Sequence, residues 1–79
     1  MSAALNRFDY SKGLSLAEAL VDRNPNDDYS QSYLGRIYLT MGDLTNSEIH
    51  FSRAYELWPT EANEKNLAAI RKRLAKDRK

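Results

Sequence analysis

Two prolines 34 residues apart, Pro25 and Pro59, frame the feature that most constrains this chain. Between them stand Leu34, Gly35 and Tyr38, then Gly42-Asp43-Leu44, then Phe51 and Ala54. Apolar and small residues at helical spacings on both sides of a glycine turn describe two helices that interlock. Gly35 permits a close approach of the neighbouring helix. Its cost of about 1 kcal/mol relative to alanine in a helix is offset only if packing uses the gap. The chain has 79 residues, 42% of them hydrophobic, which bounds it to one small domain near the lower limit for an independent core. It contains no cysteine, so neither disulfides nor thiolate-bound zinc can staple it. Stability has to come from helix packing or from a partner.

Period and capping residues place four helices. Asp9 reads as the cap of a helix running to about Arg23, with Gly13, Leu16, Ala17 and Leu20 on its packing side. Asn24-Pro25-Asn26 breaks it. A second helix, from about Asp28 to Met41, puts Leu34, Ile37, Tyr38 and Met41 on one stripe, and Gly42 stops it. Thr45 and Glu48 read as a capping box for a third helix, whose apolar side is Phe51, Ala54, Tyr55 and Trp58; Pro59 ends it. Thr60 caps the last helix, which packs through Leu67, Ile70 and Leu74. Glu61 and Glu64 lie near its positive end, and cations crowd its negative end.

These residues resemble a tetratricopeptide repeat, the 34-residue helix-turn-helix unit that stacks into arrays. Against the family's aromatic, leucine, glycine, tyrosine, alanine, phenylalanine and proline, the chain supplies Gln31, Leu34, Gly35, Tyr38, Ser47, Phe51 and Pro59. Gln31 stands where a large apolar residue is usual, and Ser47 replaces alanine with another small residue. The resemblance implies an all-α fold: antiparallel helix pairs forming a fragment, about four helices long, of a right-handed α-solenoid. Residues 1–27 then form a partial first repeat, 28–61 a complete one and 62–79 a C-terminal capping helix. Asp9-Tyr10, Gly13, Ala17, Leu20 and Pro25-Asn26-Asp27 resemble the second helix of a preceding repeat, whose first helix is reduced to Ser2 to Arg7. In the last helix, strict spacing from Pro59 and the Asn66-Leu67 match differ by one residue, so two registers stay open.

No catalytic constellation emerges. His50 is the only histidine, and its helical setting reads as a partly exposed surface position. The sequence contains neither a Gly-rich phosphate loop nor a metal-ligand cluster, so a non-enzymatic protein without cofactor or metal is the expectation. No apolar run approaches the roughly 18 residues that span a bilayer, and no charged-then-apolar leader follows Met1. The expectation is a cytoplasmic, non-secreted protein without a membrane span. The net charge of +1 is unevenly spread. Residues 1–60 hold five Lys/Arg and eight Asp/Glu, 5 − 8 = −3, while residues 61–79 hold seven and three, 7 − 3 = +4. A basic run at Arg71, Lys72, Arg73, Lys76, Arg78 and Lys79 is able to contact phosphates, which makes a nucleic-acid accessory protein one alternative. Helix-end cations on an exposed array terminus explain the run better, since no aromatic is interleaved with it to stack bases.

The resemblance implies a protein-protein interaction module, an adaptor or scaffold binding a peptide or partner protein. In that family the first helix of each repeat lines a concave groove, and the positions here are Tyr29, Ser32, Tyr33, Arg36, Leu39 and Thr40. An arginine among tyrosines holds a carboxylate while the rings cover apolar stems. The chaperone-tail binders of the family need lysine and asparagine where Ser32, Tyr33 and Arg36 stand, which disfavours that ligand class. Trp58 reads either as a plug at a helix junction or as an exposed anchor. Self-assembly is the other alternative, because a repeat without its first helix leaves apolar surface at Leu5, Phe8, Leu14 and Leu16. Two outcomes stay open there: a homodimer, packed isologously or by exchange of a longer Met1 to Val21 helix, or a monomer in which Ser2 to Phe8 folds back.

Overall fold

The computed structural model describes residues 3–77, and side chains from Tyr10 to Lys76. Four helices follow one another: α1 Ala3–Arg23, α2 Asp28–Met41, α3 Leu44–Leu57 and α4 Glu61–Asp77. Among the described residues there is no strand. Each helix packs on the next. The Gly35 carbonyl accepts from Ser47 while Gln31, one turn earlier, meets His50, one turn later, so α2 and α3 run antiparallel. Arg71 reaches Glu48 while Asn63 reaches Ala54, which gives α3 and α4 the same relation.

Local chemistry explains the boundaries. Gly42 takes φ 88°, a left-handed conformation open to glycine; its N–H donates to the Leu39 carbonyl and that of Asp43 to Tyr38, at 3.0 and 2.9 Å. This Schellman closure satisfies the last carbonyls of α2 and turns the chain within two residues. The cap of α3 is Asp43, whose carboxylate accepts from the Asn46 N–H at 3.3 Å; the expected box of Thr45 and Glu48 does not form, because both already lie inside the helix. Thr60 caps α4 as expected, accepting from the Asn63 N–H at 3.2 Å.

The N-terminal helix departs from expectation. α1 is a single run from Ala3 instead of a stub, a turn and a new helix beginning at Asp9, and residues 3–8 do not fold back. Position by position at the 34-residue spacing, Asp9 matches the cap Asp43, but Phe8 stands where Gly42 turns the chain. A residue with a β-carbon strongly disfavours φ near +88°, so the helix passes straight through.

The core forms where α2, α3 and α4 converge. Leu44, Phe51, Leu67 and Ile70 make one cluster, with Leu39, Tyr55 and Leu74 packed against it. Phe51, 2% exposed, lies against Gly35, where a β-carbon would come within 2.8 Å of its ring. The close approach expected of Gly35 is therefore used. Ser47, also buried, donates its hydroxyl to the Gly35 carbonyl at 2.8 Å, a bond that alanine could not make.

The stripe expected on α2 is rotated. Ser30, Gln31, Leu34 and Gly35 are its buried residues, whereas Ile37 and Tyr38 are half-buried and Met41 is exposed. The α1 packing side likewise consists of Gly13, Ala17 and Leu20 without Leu16, which points outward. Trp58, 62% exposed, belongs to the end of α3 and not to its apolar side. The contact of Gly35 with Phe51 sets how α2 and α3 face each other and that of Gly13 with Ile37 how α1 faces α2, and flanking apolar residues take what those rotations leave.

Candidate functional site

Six positions on α2 were expected to share a groove, and the structure divides them. Tyr29 and Tyr33, one turn apart, stack their rings with centroids 6.5 Å apart and planes 3° from parallel. Together with Leu16, Ala19, Leu20 and Arg23 of α1 they line an apolar groove of about 430 Å³. Ser32 faces α4, where the Asn66 amide donates to its hydroxyl at 3.4 Å. Arg36 is exposed, and Thr40 is exposed beside it with its hydroxyl donating to the Arg36 carbonyl at 2.9 Å. Leu39 is half-buried against the core cluster.

The outward side of α2 thus offers an aromatic pair at its start and a guanidinium further along. Arg36 makes no ion pair among the described residues. Elsewhere Arg71 Nε bonds the Glu48 carboxylate at 3.1 Å, which ties one cation of the basic helix to α3. Lys72, Arg73 and Lys76 are exposed at the end of α4, and Arg78 and Lys79 lie outside the described residues. Of the positions expected at a self-association surface, Leu16 is 64% exposed and Leu14 half-buried, while the side chains of Leu5 and Phe8 lie outside the described residues.

A polar chain across three helices escaped the sequence reading. The Gln31 side chain is buried, donates from Nε2 to the Pro25 carbonyl at 3.1 Å and offers Oε1 to His50 Nδ1 at 2.8 Å. Since Nε2 is committed to a carbonyl, Oε1 is the acceptor and His50 carries its proton on Nδ1. The imidazole stacks on Tyr38, centroids 5.6 Å apart. Burial, then the nearby Arg53 cation, pushes the His50 pKa down from its ordinary value. Burial, followed by the Glu18 and Asp43 carboxylates and a hydrogen bond with Glu18, pushes the Tyr38 phenol up. The signal was Gln31 itself: a polar residue where the resemblance expects a large apolar one requires a partner once buried.

Asn63 is the second such residue. Its amide lies 2.8 Å from the Trp58 carbonyl, 2.9 Å from Asp28 Oδ2 and 3.3 Å from the Ala54 carbonyl, joining the start of α2 and the end of α3 to α4. Among the described residues no group of three or more His, Cys, Asp or Glu side chains is placed to hold a metal, and no helix is long and apolar enough to cross a membrane. Compared with models of known protein families and with curated proteins, the sequence matches none.

Proposed function

We propose that this chain is a protein-binding helical-repeat module of the tetratricopeptide type, taking an acidic peptide along the outward side of α2. The observation that carries the reading is the make-up of that side, where Arg36 is exposed with no ion pair among the described residues and the stacked Tyr29 and Tyr33 rings stand on the same helix, while Ser32 is turned to α4. A guanidinium holds a carboxylate through paired N–H donors, and tyrosine rings cover apolar stems at low entropic cost. Packing of Gly35 on Phe51 supports the repeat reading, because it uses the small residue at its expected place.

The test is a peptide array probed with the intact chain, followed by titration calorimetry of the captured sequences. Acidic peptides should dominate, and Arg36→Ala should weaken them at least tenfold, about the value of one charge-assisted contact. Unaltered affinity in Arg36→Ala would remove the charged anchor and with it this site.

A further inference from the structure

The chain repeats itself with one slip. α1 and α3 end 34 residues apart, 57 − 23, whereas α2 and α4 begin 33 residues apart, 61 − 28. The connection after α3 is one residue shorter, and the caps Asp27 and Thr60 obey the same 33-residue offset. This settles the register of α4 in favour of the Asn66-Leu67 match. Leu16 then corresponds to His50, Leu20 to Ala54 and Tyr33 to Asn66.

On the α3–α4 side these positions lie under α2. Gln31 bonds His50, Ser32 accepts from Asn66, and Ala54 is 1% exposed. On the α1–α2 side no helix among the described residues lies over their counterparts. There Leu16 stands out and the apolar groove of Leu16, Ala19, Leu20, Arg23, Tyr29 and Tyr33 is open. A second cleft, along Ser11, Lys12 and Ser15, meets it at Leu16. By this equivalence the groove is the seat of a helix.

α1 supplies a helix that fits. It runs 21 residues, about 31 Å, against 14 residues, about 21 Å, for α2. Gly13 lies beside Ile37, so the first turns of α1 run on past the end of α2. By the helical period of the backbone, positions 9, 12, 16, 20 and 23 share one face of α1, with an aspartate at position 9, whose side chain lies outside the described residues, Lys12 one turn on, and Arg23 at the other end. Antiparallel pairing about a two-fold axis at Leu16 brings position 9 opposite position 23 twice, once at each end. Parallel pairing would set like charges together.

We infer that the groove is a self-association surface: two copies pair α1 antiparallel about Leu16, each Leu16 entering the other's groove between Leu20 and the tyrosines. The contact is isologous, so it closes at two copies. It does not rest on the peptide-binding reading, whose Arg36 contact lies outside the groove, although both use Tyr29 and Tyr33, so a peptide on those rings would compete with the dimer.

Analytical ultracentrifugation of the intact chain from about 1 to 500 μM tests it. The mass should rise from 9.1 kDa to twice that value. Leu16→Asp should raise the dimer dissociation constant about 100-fold while its helical circular dichroism stays unchanged, because Leu16 is exposed in the single chain. Asp9→Arg and Arg23→Asp should each weaken the dimer about tenfold, and the double variant should recover to within about threefold of the parent. A parent that keeps the monomer mass throughout overturns the inference. So does a dimer indifferent to Leu16→Asp, a ladder of higher species, or a double variant no better than the singles.

Discussion

The α3–α4 surface and the α1–α2 surface are each built from two helices packed side by side, yet one has α2 seated on it and the other has nothing among the described residues. Their burial patterns run against hydropathy. Gln31, Ser47 and Asn63 are buried, whereas Leu16 and Tyr29, 71% exposed, face outward. Burial here follows the presence of a neighbouring helix rather than residue type, and polar residues tolerate it because each finds a partner. No buried side-chain nitrogen or oxygen among the described residues lacks a hydrogen bond. The covered side is therefore specific, and the open side leaves apolar area at Leu16 and Tyr29 exposed.

The largest effect expected on the covered side comes from Phe51→Ala. Removing a ring wedged against Gly35 should cost roughly 3 to 5 kcal/mol, comparable with the whole stability of a small domain. Chemical denaturation should show no cooperative transition, and a retained one would mean that α2 and α3 are not held by this contact. Asn63→Ala deletes the amide that joins three helices and should cost about 2 kcal/mol, whereas Leu16→Ala on the open side should stay within about 0.5 kcal/mol at dilute concentration. Equal costs for these two would erase the distinction between the surfaces.

Gly35→Ala is a finer probe. The helix gains about 1 kcal/mol in propensity but a methyl is forced toward the Phe51 ring, at a strain of roughly 1 to 3 kcal/mol. A net loss of about 1 kcal/mol should appear in urea melts, and a gain would show that the ring has room to move.

The smallest effect is on pH dependence. His50 is held below its ordinary value of 6.5 in the folded chain, so the unfolded chain takes up its proton first as pH falls. Stability is thus full above about pH 6.5 and declines below it until the folded histidine also protonates. Protonation occurs at Nε2, since Nδ1 already donates to Gln31. Melts at pH 5 and pH 7.5 should differ more in the parent than in His50→Gln, and an identical pH response would place His50 in open solvent.

Much of this architecture was legible in the residues. Gly42 could only end α2, Thr60 was a cap in waiting, and Gly35 with Phe51 announced a close crossing. Such features depend on a few neighbours along the chain, and local backbone chemistry decides them. Of the six α2 positions considered for a groove, the shared helix was legible but the direction each faces was not, because Leu39 turned to the core while Tyr29 and Tyr33 turned to α1.

By itself, then, the sequence determined an all-helical chain of four elements, their approximate ends and the tight α2–α3 crossing, all short-range consequences of period, caps and a glycine turn. The continuity of α1, where Phe8 stands in place of a turn glycine, and the one-residue slip of α4, where the connection after α3 is shorter, also have local causes; the tertiary structure alone decided the burial of Gln31 and Asn63 and the exposure of Leu16 and Trp58. Each of these depends on which helix comes to lie over a residue. That depends on contacts between positions distant in the chain, which no local pattern encodes.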